Sequence, residues 1–327
     1  MADRKKHLVA IIVVGTNEAK WLKLALGTLN ESIYENQVII YVDNNSSDGS
    51  IALVQENFPN IKIIRNSSNL GFTAANNRGI DLAYSLNSDY IFFVNPDTKT
   101  PPELVNDLVK FMESNRKFGA IGPFQLNYNA LNNDDLNEWS LEALQNGDKD
   151  VFSIDLQDYH IENSWRKSNI VLDDIIEHFY VQGAALFVRV NIKGFRINFD
   201  PIYHTFYEEI DLCRKISWHG LKVGILKNRF IYHKGGGSTS ISNYKKFYMM
   251  RNKYIYLLTE TTWERKMIFM LISRWVKNDL RSFKYSDTSI YLRCIFSLIT
   301  NIPRIIYRRF KNSEMTKGKK TVMNMLE

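Results

Sequence analysis

Residues 37–49 read QVIIYVDNNSSDG. A short apolar run ends on an acid and gives way to a polar turn closed by glycine, the form of a buried strand releasing the chain at its carboxyl end. Working outward, Leu8 to Val14, Ile61 to Arg65 and Tyr90 to Val94 have the same form. Between them Glu18 to Asn30, Asp48 to Asn57 and Thr73 to Leu86 carry helical period, with Ser47 or Asp48 as the expected N-cap of the second helix. Regular alternation of this kind predicts an α/β class protein with a mostly parallel central sheet and crossover helices.

Further along, Gly119 to Gly122 reads as a fifth strand and QGAALFVRV (182–190) as a buried one. Phe206 to Trp218 reads as a helix, and Lys222 to Leu226 and Arg229 to His233 as two short strands before Gly235–Gly237. Residues 127–175 are polar and aperiodic, an elaborated loop region. After Ser242 the pattern is helical and basic to about Phe310. The expected organisation is a domain over 1–244 and a basic, amphipathic helical region over 245–327.

Of the 327 residues 45% are hydrophobic and 24% charged, ordinary globular usage that excludes bulk disorder. Two cysteines, Cys213 and Cys294, are too few for a disulfide framework or a four-cysteine zinc site, and suit a reducing compartment. The opening MADRKKHLVAIIVVGTNE has no small-residue cleavage site after its short apolar run, so it reads as a first strand and not as a signal peptide. From Lys245 onward there are 18 Lys and Arg against 6 Asp and Glu, a net of +12, whereas the preceding residues have 24 against 29, a net of −5. The main body is therefore no nucleic-acid binder. The basic excess is interleaved with aromatic and aliphatic residues, as in interfacial membrane helices. Arg274, Arg293, Pro303 and Arg304 interrupt the apolar runs, which favours lying on a bilayer over spanning it. A helical subdomain that packs on the core or dimerises is the alternative.

Ligands of an open parallel sheet bind beyond the carboxyl ends of its strands. Three polar clusters lie at such ends: Gly15-Thr16-Asn17, Asp43 to Gly49, and Asn95-Pro96-Asp97-Thr98. Asp43 can accept a hydrogen bond from a base N–H or a ribose hydroxyl, while Asp48 reads as a cap or turn residue. No GxGxxG follows the first strand, which argues against a dinucleotide site. Asp97, emerging from YIFFV, suits Mg²⁺ or Mn²⁺ held by one or two carboxylates and substrate phosphates. Asn-Pro-Asp is also a common turn, and these residues alone leave both readings open. On the 206–218 helix, residues 209, 212, 213 and 216 share a face with Leu212, Cys213 and Ile216, so Glu209 is expected to point inward, and Glu208 and Asp211 to be solvated. A carboxylate on an apolar stripe is costly unless paired, protonated or used. A lone histidine such as His233 is more often a core hydrogen-bonding residue than a ligand.

In their order and spacing, VAIIVVGTNEAKWLKLALGTL, IIYVDNNSSDGS, NLGFTAANNRGI, DYIFFVNPDT, IGP, GAALFVRV, FYEEIDLCRKI, HKGGGST and YMMRNKYIYL resemble the family 2 glycosyltransferases with the GT-A fold. The rhamnosyltransferase-like branch is the nearest in pattern, and the resemblance covers roughly residues 8–258. It implies an inverting enzyme with a nucleotide diphosphate sugar donor, Mg²⁺ or Mn²⁺ on a DxD-type motif, and a carboxylate base. Thr16, Asn17, Asp43, Asn45, Gly71, Asn76, Asn77, Asn95 and Arg251 then serve the nucleotide sugar, Asp97 and His233 the metal, and Glu209 the base. Asn95 stands where the motif has its first acid, and Glu209 where family members usually carry Asp. The branch favours a dTDP-rhamnose donor, with UDP-sugars next, and a saccharide or lipid-linked saccharide acceptor in surface polysaccharide synthesis. That points to a cytoplasmic protein, peripheral on the inner face of the cytoplasmic membrane. A sugar-phosphate nucleotidylyltransferase would want a basic glycine-rich loop where this chain has Gly15-Thr16-Asn17-Glu18. A non-catalytic, membrane-associated nucleotide-sugar-binding protein is the other rival.

Overall fold

The structure, a computed structural model, describes residues 7–127, 174–234, 242–262, 265–281 and 287–317. The polar stretch 128–173 and Gly235–Gly237 lie outside the described residues. The chain divides into two compact units, Met1–Phe199 with Leu212–Gly237, and Asp200–Asp211 with Ser238–Glu327.

The first unit is built on a mixed sheet. Strands β1 (Val9–Gly15), β2 (Gln37–Asp43), β3 (Lys62–Arg65), β4 (Tyr90–Val94), β5 (Thr98–Lys99), β6 (Phe118–Asn127), β7 (Ile175–Glu177), β8 (Ala185–Arg189) and β9 (Lys222–His233) run in the order β3-β2-β1-β4-β8-β6-β9-β5, with β7 paired to β9. β3, β2, β1 and β4 are parallel, as the alternating pattern predicts, and β8 runs antiparallel between β4 and β6. Every residue of β1 and β4 is buried, as for strands covered on both faces. Each large aliphatic side chain so buried contributes about 1.5–3 kcal/mol.

The crossover helices are α1 (Ala19–Asn30), α2 (Ser50–Asn57), α3 (Gly71–Ser85) and α4 (Leu104–Ser114). α1 buries Leu22, Ala25, Leu26 and Leu29, and α4 Leu104, Val105, Leu108, Val109 and Met112, the spacing of a helix face laid on a sheet. α3 lies close on the sheet: a Cβ at Gly79 would stand 2.7 Å from Ile12 Cγ2 on β1. At the start of α2 it is Gly49, with φ of 86°, that occupies the N-cap position, and Asp48 accepts from the Ser50 N–H one step inside. The same carboxylate accepts from the Ala19 N–H at 2.9 Å, so one acid satisfies the amino ends of two helices, where the sequence suggested one.

Two strand expectations change. Lys222–His233 is one strand, not two, with Pro123 opposite Leu226 and the next β6 residue, Phe124, opposite Phe230. Lys227 to Arg229 are thus accommodated as an irregularity inside the strand, which a pattern of two apolar runs cannot distinguish from a turn. β6 likewise runs on past Gly122 to Asn127.

The second unit holds the segment Asp200–Asp211, in which α5 (Glu208–Trp218) begins, together with α6 (Asn243–Leu258), α7 (Arg265–Arg281), α8 (Thr288–Thr300) and α9 (Ile302–Thr316). Ser242 caps α6 by accepting the Lys245 N–H. Residues 200–211 are contorted: His204, Phe206 and Tyr207 all have positive φ, 65°, 63° and 74°. L-residues favour this region little, and three so close together need holding. Fully buried Asn252 does so, its amide nitrogen lying 2.8, 2.7 and 2.8 Å from the carbonyls of Tyr203, Thr205 and Phe206. Arg251 donates to the Ile202 carbonyl, and Arg308 pairs with buried Asp200 at 3.0 Å.

Candidate active site

β1, β2 and β4 run parallel, so the three polar clusters leave the sheet at the same edge. Beyond β1 and β2 the loops knit together. The Asn17 N–H donates to Ser46 Oγ at 3.0 Å, and Asn17 Oδ1 accepts the Ser47 N–H at 2.8 Å. Asn17 and Asn45 have φ of 58° and 70°, a conformation asparagine accepts better than most residues. Asp43 is buried and receives the Tyr41 hydroxyl at 3.3 Å and the Ser46 N–H at 3.2 Å. Thr16 Oγ1 donates to the Asn44 carbonyl at 3.4 Å.

Sequence reading missed Asn44. Its side chain is the junction of the β2, β3 and α3 ends: Oδ1 accepts from Asn66 and from the Leu70 N–H, and Nδ2 donates to Asn69, which in turn accepts the Gly71 N–H. Asn76 is buried and donates to the Phe72 carbonyl. Asn77 is committed to the chain, pairing both ways with the Phe199 backbone at 2.8 and 2.9 Å.

The third cluster acquires its partner from the far end of the sequence. β5 pairs with β9 so that Thr98 stands opposite His233, which brings His233 Nε2 to 3.2 Å from Asp97 Oδ1 and 3.3 Å from Asn95 Nδ2. The two contacts ask opposite things of one nitrogen, a proton for the carboxylate and a lone pair for the amide. A cation in place of the proton would use the lone pair and the carboxylate together. Among the described residues no cluster of three or more His, Cys, Asp or Glu side chains is formed.

Glu18 was also missed, although it directly follows Gly15-Thr16-Asn17. Burial, then the charges of Asp97 and Asp48, push its carboxyl up to about 7, which electrostatically ties the first cluster to both others. This density of acid suits a site that receives positive charge.

Glu208 and Glu209 open α5; residues up to Asp211 belong to the second unit and those from Leu212 to the first. Glu209 is buried, as its helix face predicts, but so are Glu208 and Asp211, with 5% and 2% exposure. The expectation that these two are solvated is therefore corrected. Arg214 and Lys215 are buried too, so this helix is covered all round and its periodicity could not separate the acids. Burial, the adjacent Glu209 charge and a side-chain bond to Glu209 hold the Glu208 carboxyl well above its ordinary 4.5. Because folding then retains a proton that the unfolded chain releases, stability falls as pH rises from about 4.5 towards the raised value. Glu208→Gln should accordingly raise the melting temperature at pH 7–8, with the gain vanishing below about pH 4.5. A gain of equal size at all pH values would contradict this.

Arg251 lies in the second unit, buried, its guanidinium spent on the Ile202 carbonyl, Asn252 and Ser297 at 2.7–2.9 Å. That is the bonding of a brace, and a role toward a leaving group gains nothing from it.

Residues 10–194 match the family model described as glycosyl transferase family 2. The chain belongs to that family. The matched range contains Thr16, Asp43, Asn95 and Asp97 and ends before Glu209 and His233. The N-acetylglucosaminyl-diphospho-decaprenol L-rhamnosyltransferase of Mycobacterium tuberculosis is 21% identical over 242 residues, 69% of this chain and 76% of that protein. An uncharacterized glycosyltransferase of Haemophilus influenzae is 27% identical over 120 residues, 36% of each chain. This member of family 2 is thus rhamnosyltransferase-like.

Among solved structures, S. aureus TarS 1-349 in complex with UDP aligns with a TM-score of 0.57 at 12% identity, over 98% of this chain and 92% of that one. The mannosyltransferase PcManGT from Pyrobaculum calidifontis, in complex with GDP-Man and Mn²⁺, aligns with a TM-score of 0.55 at 11% identity, over 97% and 89%. The fold of this family 2 chain is GT-A, a central sheet flanked by helices with further helices at the C-terminal end.

Proposed function

We propose that the protein is an inverting, metal-dependent glycosyltransferase that moves a sugar, rhamnose first among candidates, from a nucleotide diphosphate to a hydroxyl of a saccharide or lipid-linked saccharide in surface polysaccharide synthesis. The meeting of Asp97 with His233 at the edge where the β1 and β2 loops also emerge, in a family 2 chain, carries the reading. The rhamnosyl activity named for the mycobacterial relative supports the sugar, and the UDP and GDP-Man complexes support the donor class. Bound Mn²⁺ in the mannosyltransferase supports a divalent ion.

The donor set fits Mg²⁺ or Mn²⁺: one carboxylate and one imidazole, the remaining ligands coming from the donor's phosphates and water. Asp97 and His233 would hold the ion, which when bound supplies Lewis-acid neutralisation of the departing diphosphate. Asp43, Thr16 and the loops of Asn17, Asn45 and Gly71 receive the nucleotide, and Asn76, Asn77 and Asn95 shape the wall around them. Glu209 removes the proton from the acceptor hydroxyl. That oxygen then attacks the anomeric carbon from the face opposite the nucleotide, and configuration inverts. Glu208, whose carboxyl burial and the Glu209 charge hold well above its ordinary value, keeps its own proton. Residues 1–244 act as the catalytic domain, and 245–327 keep the enzyme on the inner face of the cytoplasmic membrane.

A thermal-shift series with dTDP, UDP and GDP, each with and without Mn²⁺, tests the reading on the full chain. A nucleotide at a hundred times its dissociation constant stabilises by about 2.7 kcal/mol. One or two nucleotides, dTDP foremost, should raise the melting temperature, and more so with Mn²⁺. Indifference to all three would overturn the proposal.

A further inference from the structure

Among the described residues, twelve of the sixteen exposed large hydrophobic side chains lie on three consecutive helices, α7, α8 and α9. They are not scattered. On α8, Leu292, Ile295, Phe296 and Ile299 follow the i, i+3, i+4, i+7 rule and are 53–70% exposed, while Ile290 and Cys294 on the other side are buried. α8 therefore carries apolar side chains on its open face as well as on its buried one, an arrangement that water does not favour. On α9, Ile302, Ile306 and Phe310 continue the stripe, and on α7 Phe269, Met270, Val276 and Leu280 are exposed.

Charge accompanies this surface with one sign. α7, α8 and α9 carry ten Arg and Lys against two acids. One acid, Asp279, already pairs with Lys253 and Tyr254. A surface cavity on α7 has Phe269 and Met270 in its wall beside Ser273, Arg274, Lys277 and Arg281. Arg304 is exposed at the start of α9.

From these observations we infer that the outer faces of α7, α8 and α9 form a docking surface for an anionic lipid bilayer, α8 sinking among the acyl chains and the cations of α7 and α9 meeting the headgroup phosphates. The inference rests on the proposed membrane location and names the surface responsible. Length excludes spanning by α8 alone. At about 1.5 Å per residue, α8 is roughly 20 Å long against a hydrocarbon core of about 30 Å. No single described helix is long and apolar enough to cross; α8 and α9 have the length and composition only as a pair, and they are bent by 60° to one another, with Arg304, Arg308 and Arg309 on the second helix favouring an interfacial lie. Charge also selects between occupants. A second copy docking isologously through this face would oppose cation to cation, whereas a bilayer rich in anionic lipid supplies the complementary sign.

The test uses the full chain with vesicles of phosphatidylglycerol and phosphatidylethanolamine, and of phosphatidylcholine alone, in flotation. Wild type should float with the anionic vesicles, and high salt should weaken this without abolishing it. Phe296→Glu with Ile299→Glu, both exposed and so harmless to packing, should cut the bound fraction at least tenfold even at low salt. Arg274→Glu with Lys277→Glu and Arg281→Glu should reduce the salt-sensitive part. Failure of wild type to float, or flotation of the Phe296/Ile299 variant like wild type, overturns the inference. So does a dimer that these substitutions dissociate while vesicle binding is unchanged, since the face would then join two copies. The nucleotide-induced thermal shift, read on the same variants, should persist; its absence in wild type would count against the proposed chemistry and not against the surface.

Discussion

Replacing Asp97 with Ala should reduce sugar transfer by on the order of 10³-fold or more, because Lewis-acid stabilisation of a leaving diphosphate is worth several kcal/mol and each 1.4 kcal/mol is a factor of ten. The fold should survive. It is the carbonyl of Asp97, not its side chain, that accepts the Lys234 N–H at 3.0 Å, and the β5–β9 pairing begins at Thr98. The melting-temperature increment from nucleotide with Mn²⁺ should shrink to that of nucleotide alone. Chelation of wild type should produce the same loss of turnover, reversed by added Mn²⁺ or Mg²⁺. Near-normal turnover in Asp97→Ala, or indifference of wild type to chelator, would remove Asp97 from the metal.

Glu209→Gln keeps the shape of the side chain and abolishes proton acceptance, so transfer should fall by roughly 10²- to 10⁴-fold, the usual worth of a general base. Nucleotide binding, measured by the same thermal shift, should be retained. Asp211→Asn and Glu208→Gln provide the comparison: all three acids are buried, so loss of activity through burial alone would affect them equally. If either comparison variant is the more damaged, Glu209 is not the base.

The parallel half of the sheet was legible because its strands are buried on both faces and separated by helices of clear period: Gln37–Asp43 and Tyr90–Val94 carry the expected limits unchanged. Strands defined by their partners were not. β5 is two residues long, and β7 three, too short to carry a period, and both are strands only because β9 lies beside them. The site divides in the same way. Polar clusters at the ends of apolar runs are local and readable, whereas the junction made by Asn44 needs Asn66, Asn69 and Leu70 in position. Likewise, nothing local separates Glu208 from Glu209, because the helix that carries them has no solvent face to break the symmetry.

The pairing of β5 with β9 also governs when this site comes into being. Asn95 and His233 are 138 residues apart, and their meeting depends on the last strand of the sheet. Closing so long a loop is paid for only when the strand docks, so non-local pairings of this kind are slow steps. During synthesis the loops that follow β1 and β2 have the partners described above, none later than Leu70, well before His233 leaves the ribosome. The β1 and β2 end of the site therefore matures first and the Asp97–His233 end last; under the proposed function, a chain caught midway would hold a nucleotide sugar without being equipped to cleave it.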